Sequence, residues 1–280
     1  DIPDKVMGKT VFGMDFTLPY MCIAVVARPP RYGAQIVSYD ETKAMAVKGV
    51  LKVVPLEDFG PFKDRIAVCA ATTYAAMLGR DALDIKWSQG DMPDLSDSTL
   101  DQIYDEHLKK KGAVARDDGD VDTALAGAAK TLGAAYAVPY ISHAQVEPIN
   151  CTAHVEKNRC RIWVPTQGQT VTQNIAAKIT GLPQEQVQVI TLPAGGGFGL
   201  RAEPDPVADA VMVSKAMNRP VKVIWTREDD FANDYFRPAY HSRIKAGLDS
   251  SGKITAWSHK LAAQSVMSRL MPQYVENGVD

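Results

Sequence analysis

In the stretch Val187-Gln188-Val189-Ile190-Thr191-Leu192-Pro193-Ala194-Gly195-Gly196-Gly197-Phe198-Gly199-Leu200-Arg201, a β-branched run meets three consecutive glycines and an aromatic held between glycines. The first six residues predict a strand, and Pro206 to Met217 predict a helix beyond the loop. Glycine permits positive φ and lets the backbone approach a ligand closely. A glycine loop between a strand and a helix presents main-chain N–H groups to something bulky and anionic, or to an oxo group. The loop matches neither GxxxxGK[ST] nor a full GxGxxG. On its own it reads equally as a cofactor cradle or as a tight structural turn.

The same alternation extends to either side. Toward the N-terminus, Val171 to Thr180 predicts a helix ended by Gly181 and Pro183. Cys151 to Val155 and Arg159 to Val164 predict strands, as does Ala134 to Val138, and the alanine-rich Val121 to Thr131 predicts a helix. Beyond the glycine loop, Val221 to Trp225 predicts a strand, and Tyr240 to Leu261 a hairpin turning at Asp249-Ser250-Ser251-Gly252. A separate zone of about ninety residues precedes these. Its apolar run Met21 to Ala27 stops at Arg28-Pro29-Pro30. A helical pattern follows at Tyr39 to Val47, then strands at Val50 to Pro55 and Arg65 to Ala71. A helix at Thr72 to Leu83, N-capped by Thr72 or Thr73, leads to a strand at Ile85-Lys86-Trp87. Between the zones, Ser88 to Asp122 is polar and reads as a connector, with room for a helix between Ser98 and Lys111.

Composition excludes several classes of function. At 280 residues, 46% hydrophobic and 23% charged, the chain has the makeup of a soluble globular protein of one or two domains. A net charge of -2 gives no general pull toward nucleic acid or anionic membrane. Lys109-Lys110-Lys111 is followed by Asp117, Asp118, Asp120 and Asp122, which marks a solvated segment. No apolar run reaches membrane-spanning length. Cys22, Cys69, Cys151 and Cys160 show no CxxC spacing, so no zinc site is expected. Cys22 and Cys69 read as buried thiols, and Cys151 and Cys160 are open to pairing across a hairpin. The chain opens on Asp1-Ile2-Pro3, which suggests a processed product or a piece of something longer.

Residues able to do chemistry gather in the second zone. His143 stands four residues before Glu147 in the Pro-bounded loop Pro139 to Pro148; such spacing suits a metal pair only on a helix, which the prolines disfavour. The pair reads instead as hydrogen-bonding partners that fix the loop. Gln167 ends a strand, where α/β proteins place groups that contact ligands, although a lone glutamine there is more often a helix cap. Arg227-Glu228-Asp229-Asp230 reads as a helix N-terminal charge run rather than a divalent metal site. No nucleophile constellation or spaced pair of catalytic carboxylates stands out.

Taken together, Ser142-His143-Ala144-Gln145-Val146-Glu147-Pro148-Ile149-Asn150-Cys151-Thr152-Ala153, Trp163-Val164-Pro165-Thr166-Gln167, Gly195-Gly196-Gly197-Phe198-Gly199 and Arg227-Glu228-Asp229 ahead of Tyr235-Phe236-Arg237-Pro238 form one ordered set. This set resembles the large subunit of the xanthine oxidase family of molybdenum hydroxylases, in its isoquinoline 1-oxidoreductase and aldehyde dehydrogenase branch. Gly8-Lys9-Thr10-Val11-Phe12-Gly13 and Ala27-Arg28-Pro29-Pro30 resemble that family's α/β hammerhead domain. The resemblance implies an α+β fold: an α/β hammerhead domain over 1–90, a linker over 91–120, and the N-terminal part of a molybdopterin-binding domain over 121–280. It implies that the Gln167 amide donates to an oxo ligand of molybdenum and that Phe198 lines the site. Gly196, Gly197, Phe198, Gly199 and Arg201 would contact the cofactor. That cofactor would be molybdopterin, as the cytosine dinucleotide, with molybdenum; [2Fe-2S] clusters in a partner subunit would take the electrons.

The implied reaction is hydroxylation of an aldehyde or an N-heteroaromatic carbon, with water as the oxygen source. Two departures qualify it. Purine-oxidising members carry a glutamate shortly after the glycine loop; here that position is Ala202, with Glu203 one residue out of register, which disfavours a purine. The family's glutamate base and its Phe-Arg-Gly segment have no counterpart in the sequence. The expectation is therefore the middle portion of a large subunit, inactive alone, whose partners are the rest of that subunit or a second molybdopterin subunit, and an iron–sulfur subunit. Members of this branch are often exported folded, so a bacterial periplasmic location is implied, with the cytoplasm as the alternative. The competing reading is a non-catalytic α/β protein that holds a nucleotide or other anion at the glycine loop.

Overall fold

The computed structural model describes residues 2–59, 63–90 and 95–279. Its strands run in chain order as β1 Cys22–Ala27, β2 Ile36–Asp40, β3 Val50–Leu56, β4 Arg65–Ala70, β5 Asp84–Trp87 and β6 Lys130–Val138, then β7 Asn150–Glu156, β8 Arg159–Val164, β9 Val187–Thr191, β10 Val221–Ile224, β11 Tyr240–Leu248 and β12 Ile254–Ala263. Helices lie between them, which makes the class α+β as expected.

The chain forms two compact units that interleave in sequence: residues 1–92 with 143–235, and 93–142 with 236–280, each over its described part. In the first unit a seven-stranded sheet runs β3-β4-β1-β10-β7-β8-β9, so strands of both sequence zones share one sheet. The join is β1 against β10, parallel, with Cys22 opposite Val221 and Ala24 opposite Val223. Both strands are apolar because each has neighbours on both edges and helices over the sheet. The helix Asp205–Met217 packs on β7 and β10, with Val207, Ala210, Val211 and Val213 in the core beside Ala153, Ile162 and Val223. Charge crosses between the zones as well: Arg28 and Arg65 both pair with the fully buried Asp209, and Arg80 binds both oxygens of Asp229 at 2.7 Å. A separate β2–β5 pair completes this unit.

In the second unit β12, β11 and β6 form an antiparallel sheet, with β6 paired to β11 along all nine of its residues. The expected connector here contributes the helix Asp97–Lys109, capped by the Ser96 hydroxyl. Its Tyr104 and Leu108 pack on Ala239 and Ala262. Residues 91–94 of that connector, Pro93 included, lie outside the described residues.

Two expectations are corrected. The helix expected over 121–131 spans only Val121–Ala126 and ends at Gly127; Lys130 onward is strand, because nine paired residues outweigh the helical preference of alanine. The helix expected at 39–47 is only Thr42–Met45, because Ile36–Asp40 is committed to β2. Cys22 and Cys69 are buried, and Cys151 and Cys160 are buried free thiols: the β7–β8 register sets Cys160 opposite Val155.

Candidate cofactor site

β8 and β9 are parallel neighbours, so their carboxyl ends emerge side by side. Gln167 follows β8 and the glycine loop follows β9. The Gln167 backbone N–H donates to Arg201 O at 3.0 Å, and the Gly199 N–H donates to Gln167 Oε1 at 3.1 Å. With its oxygen engaged, the exposed Gln167 amide keeps Nε2 as a donor with no protein acceptor among the described residues. Gln167 does not cap the helix Gln169–Thr180; Gly168 holds the N-cap position.

The loop is shaped for close approach. A Cβ on Gly197 would lie 2.6 Å from Gln167 Oε1, and one on Gly196 would lie 3.2 Å from the Gln145 Cβ. Gly196 and Gly199 have φ of +101° and +112°, and Phe198 takes φ +53°, a left-handed conformation that bulky residues avoid. Phe198 is 74% exposed. The backbone N–H groups of Gly196, Gly197 and Phe198 have no protein acceptor among the described residues. Three successive N–H groups without a protein acceptor, next to a free amide, are a donor set of the kind that suits an anion.

Behind the loop sits Glu147, 8% exposed. Its Oε1 accepts from Met14 N–H (3.1 Å) and Asn150 Nδ2 (3.0 Å); its Oε2 accepts from Gly195 N–H (2.8 Å) and Arg201 (3.0 Å). Arg201 also donates to the carbonyls of Gly196 at 2.6 Å and Glu147 at 2.8 Å. Burial lowers the Arg201 pKa, opposed by the Glu147 carboxylate. Arg201, expected among the cofactor contacts, is thus built in as the clamp that fixes the loop's carbonyl side. Glu147 is the residue that sequence reasoning undervalued: it fixes its loop, but through Gly195 and Arg201 rather than through His143.

His143 bonds instead to Asp234, Nδ1 to Oδ1 at 2.7 Å. The Arg227–Asp230 run heads the helix Arg227–Asn233 with a capping box between Thr226 and Asp229, as its reading as a charge run required. Burial raises the Asp230 pKa, opposed by hydrogen bonding from Gln145 Nε2 at 3.0 Å and by the charge of Arg227. No set of three or more His, Cys, Asp or Glu poised for a metal ion occurs among the described residues. Nor is any helix among them long and apolar enough to cross a membrane. A cleft of about 570 Å³ lies elsewhere, between Asn158-Arg159 and Gln184 to Val189. A void of about 10 Å³ is lined by Arg201, Thr166 and Pro206. The free donors, rather than a cavity, mark the site.

Comparison with known proteins agrees with this geometry. The molybdopterin cofactor-binding domain family matches residues 104–278. The chain is 31% identical, over all of its length, to 37% of the membrane-bound aldehyde dehydrogenase [pyrroloquinoline-quinone] of Gluconacetobacter polyoxogenes. It is also 31% identical, over 98% of its length, to 36% of the isoquinoline 1-oxidoreductase subunit beta of Brevundimonas diminuta. The chain thus spans little more than a third of these relatives. In fold it resembles the quinoline 2-oxidoreductase of Pseudomonas putida 86, with a TM-score of 0.73 at 19% identity, over 93% of this chain and 38% of that one. The aldehyde oxidoreductase of Desulfovibrio desulfuricans gives 0.75 at 16% identity, over 95% of this chain and 34% of that one. With its glycine loop and Gln167 set at the ends of two parallel strands, the chain belongs to the molybdopterin cofactor-binding domain family of xanthine oxidase-type molybdenum-binding subunits.

Proposed function

We propose that this chain supplies one wall of the cofactor site of a molybdenum hydroxylase that oxidises an aldehyde or an N-heteroaromatic carbon. The observation that carries the reading is the row of free N–H groups at Gly196, Gly197 and Phe198 next to the free Gln167 amide. An anionic cofactor bearing oxo ligands needs preorganised neutral donors, and donors already held in place cost no reorganisation when charge develops. The residues present fit such a group: side chains are missing where the backbone must approach, and Gln167 is fixed through its oxygen. When bound, the cofactor supplies two-electron redox chemistry and the activated oxygen; the protein supplies position and electrostatics.

Gln167 would hold an oxo ligand through Nε2, Gly196, Gly197 and Phe198 would offer the cofactor their backbone N–H groups, and Gly199, whose N–H is held by Gln167, would let the chain pass close to it. Phe198, exposed at the loop, would line the substrate side. Arg201 and Glu147 position the loop without touching the cofactor. Completing the proposal are molybdopterin in its cytosine dinucleotide form, [2Fe-2S] clusters in a partner that takes the electrons, a hammerhead assignment for the first ninety or so residues, the need for further polypeptide before turnover, and a periplasmic location.

Gln167→Ala in the assembled enzyme tests the central role. Loss of one such donor is expected to lower kcat by about 10²–10³-fold with molybdenum still bound. Unchanged turnover at full molybdenum content would remove Gln167 from the mechanism.

A further inference from the structure

Lys222 lies in β10, a central strand of the first unit's sheet, and is only 2% exposed. Its neighbours Val221 and Val223 join the apolar core, so the alternation of the strand sends Lys222 to the sheet's other face. An amine buried there is costly unless it is hydrogen-bonded. Its Nζ donates to Met14 O at 2.6 Å, 208 residues away, its one hydrogen-bond partner among the described residues. A carbonyl only accepts, so Nζ is the donor whether or not the lysine is charged. The same Met14 turns its N–H to Glu147 Oε1 at 3.1 Å, and Glu147 Oε2 accepts from the Gly195 N–H at 2.8 Å. Met14 therefore links a buried amine to the carboxylate that holds the start of the glycine loop.

Met14 belongs to a turn, Phe12 to Phe16. The N–H groups of Asp15 and Phe16 both donate to Phe12 O at 3.1 Å, and the Phe12 N–H donates to the Asp15 carboxylate at 3.1 Å. This turn packs against the end of β8. Phe16 stacks on Trp163 with ring centroids 5.2 Å apart. A Cβ on Gly13 would lie 2.9 Å from Pro165 Cδ and closer still to Asn150 Oδ1, so the turn has no slack at that point. Pro165 stands two residues before Gln167, and Asn150 Nδ2 donates to Glu147 Oε1 at 3.0 Å. Both halves of the donor set, Gln167 after β8 and the glycine loop after β9, are thus tied to one turn near the N-terminus.

We propose that Lys222 is a positioning residue of the cofactor site: it pins the Phe12–Phe16 turn, and the turn sets where the glycine loop and Gln167 stand. This rests on the reading of the glycine loop as the cofactor site. Lys222 acts through Met14 and Glu147, not on the cofactor itself. The effect is sizeable, because displacing a reacting geometry by about 1 Å costs about 10²-fold in rate.

Lys222→Met keeps the length of the side chain and removes the donor. In the assembled enzyme, amide hydrogen exchange read by mass spectrometry should quicken about tenfold in peptides covering 12–16 and 193–199, and stay as in the wild type over β7 and β10. Turnover of benzaldehyde or quinoline, whichever the wild type oxidises, should fall about 10–10²-fold in kcat with KM and molybdenum content unchanged. Gly13→Ala, which forces the turn off Asn150 and Pro165, should give the same pattern and decides the matter where Lys222→Met does not assemble. Unchanged exchange over 193–199 in both variants would overturn the proposal. So would quicker exchange spread evenly through β7 and β10, the mark of a merely structural lysine, or a loss carried by KM alone. Wild-type enzyme without molybdenum would instead defeat the cofactor reading, and the exchange over 193–199 would still decide whether Lys222 holds the loop.

Discussion

Gly197 has no room for a side chain, and what would fill the space is the residue the site depends on. A Cβ there would meet Gln167 Oε1 at 2.6 Å and Cδ at 3.0 Å. Gly197→Ala is therefore expected to push the glutamine aside, break its bond to Gly199, and lower molybdenum content or turnover. Because the displaced group is the end of a flexible side chain, stability should change by less than about 1 kcal/mol. Full loading and turnover in this variant would mean that the Gln167–Gly199 contact is dispensable. Gln167 and the glycines were legible in the sequence because their chemistry is local: an amide at a strand end, and positions that tolerate positive φ. Glu147 was not legible as the loop's anchor. Three of its four partners lie 48, 54 and 133 residues away, at Gly195, Arg201 and Met14, and no local pattern links it to them. The partners of Arg201 are as remote from a local pattern: its guanidinium reaches Glu147, 54 residues away.

At the scale of the element, the helix Asp205–Met217 holds the loop's far end against the sheet, and its first residue has a pH dependence that can be tested. Asp205 accepts from the Tyr235 hydroxyl at 3.0 Å, while its other oxygen is buried with no hydrogen-bond partner among the described residues. Burial raises its pKa above the ordinary 3.8, opposed by the tyrosine hydrogen bond. A carboxyl whose folded pKa is raised binds its proton more tightly in the folded state, so stability falls as pH rises through the window above 3.8. Asp205→Asn removes that ionisation. The variant should gain on the wild type between acid and neutral pH in urea unfolding, and a gap independent of pH would refute the assignment. Elements with strong periodicity, such as β7, β8, β9 and this helix, were readable from the sequence. The pairing of β6 with β11 and of β2 with β5 was not, because alanine-rich and short runs take their structure from a distant partner strand.

For the molecule as a whole, strands and charged side chains of the two sequence zones meet in one sheet of the first unit, which composition along the chain could not reveal. Arg28 after β1, Arg65 in β4 and Asp209 in the helix Asp205–Met217 meet in the core of the first unit. Burial pushes both guanidinium pKa values down to about 10, so each remains charged at neutral pH and each depends on Asp209. Asp209→Asn would leave two buried cations short of their counter-charge. It should cost about 3–5 kcal/mol in chemical unfolding; a loss under about 1 kcal/mol would show that the network is not what joins the zones. The central claim is that this sheet carries a molybdopterin site at the carboxyl ends of β8 and β9. Metal and pterin analysis of the protein purified with its natural partners tests it most directly. Molybdenum and pterin in equal amounts are expected, both lost when Gly196, Gly197 and Gly199 are all replaced by valine; protein free of molybdenum, or carrying a quinone in its place, would contradict it.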